Sequence, residues 1–210
     1  MQYPNARIIV FAKAPVAGQC KTRLIPALGE QGAAELHGQL LHHTLRTSTD
    51  ASLCPVELWC ADNTSHPFMK ACCEQYSVVV KQQQGNDLGE RMHHAFRETL
   101  DTAPFAIIIG TDCPTRTKKD LSDALQALQC GVDCTLNPAE DGGYVAIGLS
   151  RLDKKLFSNI SWGSASVYEE TSQRLEALGW SWKKLATHYD IDRPEDLERL
   201  KDLPFPSSQR

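Results

Sequence analysis

Several features that would settle a sequence's class at once are missing here. No apolar run approaches the roughly 20 residues that a membrane span requires. The run Ile8-Ile9-Val10-Phe11 near the start is too short for a signal-peptide core, and no small-residue cleavage site follows it. The expectation is therefore a cytoplasmic protein without a membrane span. A basic excess is also missing: 22 Lys and Arg stand against 26 Asp and Glu, a net charge of -4 over 210 residues. That balance excludes electrostatic binding of nucleic acid as the main activity, and it argues against an anionic membrane surface as partner. The eight cysteines include no C-x-x-C pair, so they read as small buried hydrophobes rather than a disulfide scaffold. His42-His43 and His93-His94 are adjacent pairs, which diverge on a helix and cannot converge on one zinc ion. Neither a Walker A loop nor a G-x-G-x-x-G fingerprint is present. There is no internal repeat, low-complexity tract or linker.

What remains is an ordinary globular composition, 41% hydrophobic and 23% charged, with short apolar runs alternating with amphipathic stretches. Expected strands are Arg7–Ala12, Val56–Ala61, Ser77–Lys81 and Phe105–Gly110. Expected helices between and after them are Gln31–Thr47, Pro67–Gln75, Asp87–Leu100 and Thr117–Gln129. This alternation predicts a mostly parallel sheet covered on both faces. After residue 130 the rhythm breaks. Cys134–Asn137 and Tyr144–Leu149 read as strands around the turn Glu140-Asp141-Gly142-Gly143, so one antiparallel strand is expected. A helix at Ser164–Leu178, a strand at Lys183–His188 and a helix at Pro194–Leu203 complete the reading. The expected organisation is one domain over 1–203 with a flexible tail over 204–210.

Four clusters fall where an open α/β sheet places ligands, beyond the carboxyl ends of strands. The first, Lys13 to Leu24, joins Gly18 with Lys13, Lys21 and Arg23. A glycine permits close backbone approach and the cations can face a polyphosphate; a solvated basic loop would read the same way. The second is Gly110-Thr111-Asp112-Cys113-Pro114. Asp112 there suits Mg²⁺ or Mn²⁺, or a turn cap before proline. In the third, Glu140 and Asp141 offer acceptors for hydroxyl groups and Gly142 and Gly143 allow a ligand near the backbone, although a plain hairpin explains Asp-Gly-Gly. The fourth, His188 to Asp196, contains Asp192, which can cap the helix at Pro194 or complete a metal site with Asp112. Two further residues have alternatives of this kind. Arg91, in Gly85-Asn86-Asp87-Leu88-Gly89-Glu90-Arg91-Met92, can meet a phosphate or pair with a carboxylate. Trp162 can stack on a sugar or base, or pack in the core.

Six segments in this order resemble a bacterial family of small GT-A-like proteins, the DUF2064 glycosyltransferase-like family, related to MobA- and CofC-type nucleotidyltransferases. They are Phe11-Ala12-Lys13-Ala14-Pro15 with Lys21-Thr22-Arg23-Leu24; Asp87 to Met92; Gly110 to Pro114; Pro138 to Tyr144; Ser161-Trp162-Gly163-Ser164; and Asp190 to Leu197. The resemblance spans Phe11 to about Leu200. It implies a GT-A-like (nucleotide-diphospho-sugar transferase) three-layer α/β sandwich, a nucleotide-diphosphate donor and a divalent metal, Mg²⁺ or Mn²⁺. Asp112 matches the position where GT-A and nucleotidyltransferase relatives place a metal carboxylate, and Asp192 matches the second acidic position in the nucleotidyltransferase relatives. There are two departures: Arg193 stands where relatives often have Thr, and a single Gly18 replaces the Gly-x-Gly-x-Arg loop of nucleotidyltransferases.

The expected function is metal-dependent transfer from a nucleotide or nucleotide-sugar donor to a small-molecule acceptor, with glycosyl transfer first. The alternatives are nucleotidyl transfer with pyrophosphate release, and a nucleotide-binding module without turnover. Lys13, Gly18, Lys21, Arg23 and Arg91 are assigned to phosphate. Asp112 and Asp192 are assigned to metal, and Asp141 to catalysis as a general base. Glu140, Gly142, Gly143 and Trp162 are assigned to substrate.

Overall fold

The computed structural model describes residues 1–201. The expected tail, and the end of the expected last helix, lie outside the described residues. Seven strands form the sheet: β1 (Arg7–Ala12), β2 (Val56–Cys60), β3 (Val79–Gln82), β4 (Ala106–Ile109), β5 (Cys134–Pro138), β6 (Tyr144–Leu149) and β7 (Trp182–Lys184). Their order is β3-β2-β1-β4-β6-β5-β7. β6 is antiparallel to both its neighbours, and every other pair is parallel. The single reversal comes after residue 130, where the alternation of strand and helix breaks in the sequence.

Among the described residues, five α-helices cover the sheet: α1 (Ile25–Asp50), α2 (Pro67–Tyr76), α3 (Leu88–Leu100), α4 (Lys118–Gln129) and α5 (Val167–Ala177). Successive side chains of a strand point to opposite faces, and β1 and β4 use both. Ile8, Val10, Ile107 and Ile109 pack with Leu41 and Leu45 of α1 and Leu121 and Leu125 of α4. Ile9, Phe11 and Ile108 pack on the other face with Met92 and Phe96 of α3 and Leu175 of α5. Each such fully buried side chain contributes roughly 1.5–3 kcal/mol. The strands at the site are therefore held from both sides.

Some boundaries differ from the sequence reading for identifiable reasons. α1 starts six residues earlier than expected, with proline in its first turn and a break at Gly29, where φ is 70°. The glycine hides the helical period there. β7 is three residues long rather than six, and its Lys183 and Lys184 are exposed. The expected last helix is a 3₁₀ helix, Pro194–Leu200. Two expected caps are present: Asp87 accepts from Glu90 N, and Thr117 with Asp120 forms a capping box.

The strand order turns back between β1 and β4, since the chain leaves β1 for β2 and β3 and returns on the other side as β4. The crevice beyond the carboxyl ends of those two strands is where such sheets bind ligands. Arg116 locks this edge. It is 5% exposed, and it donates to the carbonyls of Gly110 and Val145, each at 2.9 Å. The end of β4 is thereby tied to the start of β6.

Candidate functional site

A cavity of about 500 Å³ opens at this switch point. Phe11, Ala12 and Lys13 of the β1 end line it, as do Gln19 to Arg23 and Gly110 to Asp112, with Asp192. Lys13, Lys21 and Arg23 thus converge on one space.

Lys21 is not an exposed loop charge as the sequence alone would have it: its side chain is 3% exposed. Nζ lies 2.8 Å from Asp112 Oδ1 and 3.9 Å from Asp192 Oδ1, and it donates to the Ile191 carbonyl at 2.6 Å. Its backbone is left-handed, φ 48° and ψ 41°, a conformation that non-glycine residues adopt at a cost. The two carboxylates remain about 40% exposed, at 41% and 39%. Arg23 Nη1 holds the other oxygen of Asp192 at 2.5 Å. Ile191, fully buried, donates its N–H to the Asp112 carbonyl at 2.9 Å. That backbone bond fixes the 190–192 segment against the β4 end. The cap expected of Asp192 is supplied instead by Asp196, which accepts from the N–H groups of Asp192 and Arg193.

A smaller cavity, about 220 Å³, adjoins the first and shares Arg23 and Asp192 with it. Glu140, Asp141, Ser164, Asp190 and Arg193 are among its lining residues. Asp141 Oδ1 accepts from Gly143 N at 3.0 Å, and Glu140 Oε2 pairs with Arg199 at 2.8 Å. Gly142 has φ 91°, and a Cβ there would stand 2.0 Å from the Ala165 carbonyl oxygen. Its role is the packing of the turn against residues 163–166; Tyr168 N donates to the Gly142 carbonyl.

Other expected site residues are placed differently. Gly18 does not line the larger cavity; its Cα faces Glu30. Arg91 does line it, and its Nε donates to the Gly85 carbonyl at 3.1 Å. Trp162 lines neither cavity. It packs on the α3–α5 core, edge-on to Tyr144 and over Gly89, where a Cβ would come within 2.8 Å of its ring. A groove of about 490 Å³ between α3 and residues 154–159 carries Arg97, Lys154 and His93, but none of the strand-end aspartates.

The sequence reading missed three residues of the site. Asp190 sits among carboxylates: burial first, then the charge of Asp112, pushes its carboxyl up to about 7. The spacing Asp190-Ile191-Asp192 around a buried isoleucine was the available signal, since i and i+2 share a side in extended chain. His37 lines the larger cavity against the Lys13 carbonyl, and burial lowers its pKa. Gln83, 8% exposed, donates to the Trp59 and Ala12 carbonyls. No local pattern marks either.

The donor chemistry at the cavity edge suits a hard divalent cation: Asp112 and Asp192 offer carboxylate oxygens, which Mg²⁺ and Mn²⁺ prefer, and the Lys21 ammonium stands 2.8 and 3.9 Å from them. Among the described residues, no group of three or more His, Cys, Asp or Glu side chains forms a metal site. Phosphate oxygens or water would supply the remaining ligands.

Comparison with known proteins follows the same lines. A family model described as "Uncharacterized protein conserved in bacteria (DUF2064)" matches residues 44–164, more than half of the chain. No curated protein matches the sequence. Among solved structures, an inferred nucleotide-diphospho-sugar transferase from Desulfovibrio desulfuricans G20 is 28% identical, with a TM-score of 0.87 over 98% of this chain and 90% of that one. CMP:2-keto-3-deoxy-manno-octonic acid synthetase complexed with CTP is 11% identical, with a TM-score of 0.60 over 94% and 97%. 4-Diphosphocytidyl-2C-methyl-D-erythritol synthase from Anaerococcus prevotii DSM 20548 is 12% identical, with a TM-score of 0.61 over 93% and 96%. The fold is that of the nucleotide-diphospho-sugar transferases. Among the described residues no helix is long and apolar enough to cross a membrane.

Proposed function

We propose that this chain, which belongs to the DUF2064 family, is a metal-dependent transferase that uses a nucleotide-diphosphate donor and passes a glycosyl group to a small acceptor. The observation that carries this reading is the pair of adjoining cavities that share Arg23 and Asp192. The larger is lined by four cations, Lys13, Lys21, Arg23 and Arg91, and would hold the donor. The smaller is lined by hydroxyl acceptors and would hold the group that receives the sugar.

In this reading Lys13, Lys21 and Arg23 bind the diphosphate. Charge-assisted donors of this kind hold phosphate oxygens more strongly than neutral ones. Asp112 and Asp192 would hold Mg²⁺ or Mn²⁺, which when bound supplies positive charge for the leaving nucleoside diphosphate. Arg23, between the cavities, places that charge beside the bond to be broken. Asp141 keeps Oδ1 on its own turn and orients the acceptor hydroxyl with Oδ2, taking up its proton as general base. Glu140 lines the acceptor cavity, and Gly142 and Gly143 form the turn that presents it and Asp141. Gly18 and Trp162 support this framework from outside the cavities, and Arg91, which lines the larger one, adds a further cation for the donor phosphates.

A second reading rests on the shared fold of the two cytidylyl-transferring synthases: nucleotidyl transfer to a phosphorylated substrate. Product analysis separates the two, since glycosyl transfer releases nucleoside diphosphate and nucleotidyl transfer releases pyrophosphate. The donor class is tested by a thermal-shift screen of nucleotides and nucleotide sugars with and without Mn²⁺. A stabilising nucleotide sugar with Mn²⁺ supports the reading. No shift with any nucleotide overturns it.

A further inference from the structure

Lys21 occupies the place where a cation between Asp112 and Asp192 would sit. An ion binding both carboxylates needs oxygens at about 2.0–2.2 Å. The Lys21 ammonium already holds Asp112 Oδ1 at 2.8 Å and stands 3.9 Å from Asp192 Oδ1, with its third contact on the Ile191 carbonyl at 2.6 Å. A dication and an ammonium at that spacing repel strongly in a half-buried site. We infer that Lys21 is the resident cation of this site and that a divalent metal binds only as Lys21 leaves. This rests on the proposed metal-dependent reading and adds to it an exclusion between two of its parts.

Three observations point the same way. The ammonium is nearly inaccessible, so it is a built partner of the carboxylates and not a surface charge that visits them. Its backbone is left-handed and its carbonyl accepts from Leu24 N at 2.8 Å, so the turn that presents the ammonium is itself fixed. And the cavity gives it somewhere to go: Lys21 also lines the space assigned to the donor phosphates, beside Lys13 and Arg23. A donor diphosphate would draw the ammonium off the aspartates while its own oxygens add ligands for the metal. Metal affinity would then rise on nucleotide binding through removal of a competitor as well as through added ligands.

The exclusion has a magnitude that ordinary phosphate binding lacks. Neutralising a cavity cation that does not touch the aspartates, such as Lys13, raises metal affinity without nucleotide only by easing general repulsion, whereas neutralising a resident competitor raises it much further. Mn²⁺ binding to nucleotide-free protein, followed by the EPR signal of free Mn²⁺, reads this directly. Lys21→Met should bind Mn²⁺ about tenfold or more tightly than wild type, and Asp112→Asn added to it should remove that binding. Breaking a buried ion pair can cost the fold, so a second measurement uses unaltered protein. Trace acetylation with mass spectrometry should find Lys21 protected without metal and reactive at saturating Mg²⁺, while Lys13 is unchanged. Equal or weaker Mn²⁺ binding by folded Lys21→Met, or a Lys21 still protected while metal occupies an Asp112-dependent site, overturns the exclusion and leaves the transferase reading standing. Absence of metal binding in every protein, even with a nucleoside diphosphate, overturns both.

Discussion

The loop after β1 brings cations and the turn at 139–143 brings carboxylates to the same edge of the sheet, and the two sets of charge are engaged differently. Lys21 reaches Asp112, 91 positions away in the chain, and the carbonyl of Ile191, 170 positions away. Asp141 is engaged two residues on, by Gly143 N, and Glu140 is held by Arg199 on the surface. A turn whose aspartate is satisfied by its own backbone and whose glutamate pairs on an exposed surface is explained without a ligand. A buried ammonium that gathers carboxylates from the end of β4 and from the distant 190–192 segment is harder to explain by folding alone, because ion pairs of this kind stabilise little after desolvation. Chain-distant convergence separates the site's centre from its rim.

That contrast can be broken at the rim. Gly142→Ala puts a Cβ against the Ala165 carbonyl and forces a positive φ on alanine. It should destabilise the protein by about 2–4 kcal/mol in a denaturant titration. If stability were unchanged, the turn would be looser than described and its glycines available to a ligand.

Asp190, between the two regions, gives a smaller effect that depends on pH. Its carboxyl is raised to about 7 by burial and by Asp112, so between roughly pH 4 and pH 7 the folded state holds a proton that the unfolded chain has lost. Stability therefore falls as pH rises through that window and is flat above it. Asp190→Asn should remove this slope, matching wild type near pH 4 and exceeding it by on the order of 1–3 kcal/mol at pH 8. Parallel pH–stability curves would show that Asp190 ionises normally. Smallest of all, Glu140→Gln should leave the melting temperature within about 2 °C of wild type, since its partner Arg199 is exposed. A larger loss would move Glu140 from the rim to the framework.

Much of the fold could be read from the sequence because strand and helix periods are local. Ile107-Ile108-Ile109 announces a strand buried on both faces, and the break after residue 130 announces β6. Elements failed where a local signal was interrupted or weak: Gly29 masks the start of α1, and β7 has exposed lysines. The site was legible in its residues but not in its contacts. The position of Asp112 after an apolar strand marks the ligand edge, and the order of the six segments carries the family resemblance. Nothing local tells that Lys21 is buried, that Asp192 leaves the cap to Asp196, or that Trp162 packs over Gly89. Those facts depend on which distant residues the sheet order brings together.

The central claim is that the aspartate–lysine cluster is a metal and nucleotide-diphosphate site whose two ligands assist each other. Calorimetric titration of Mn²⁺ into the protein, with and without a nucleoside diphosphate, tests it most directly. The account predicts weak binding to the free protein, binding at least about tenfold tighter with the nucleotide, and loss of that difference in Asp112→Asn with the fold intact. Equal Mn²⁺ affinity in the two titrations, or an Asp112→Asn protein that behaves as wild type, would contradict it.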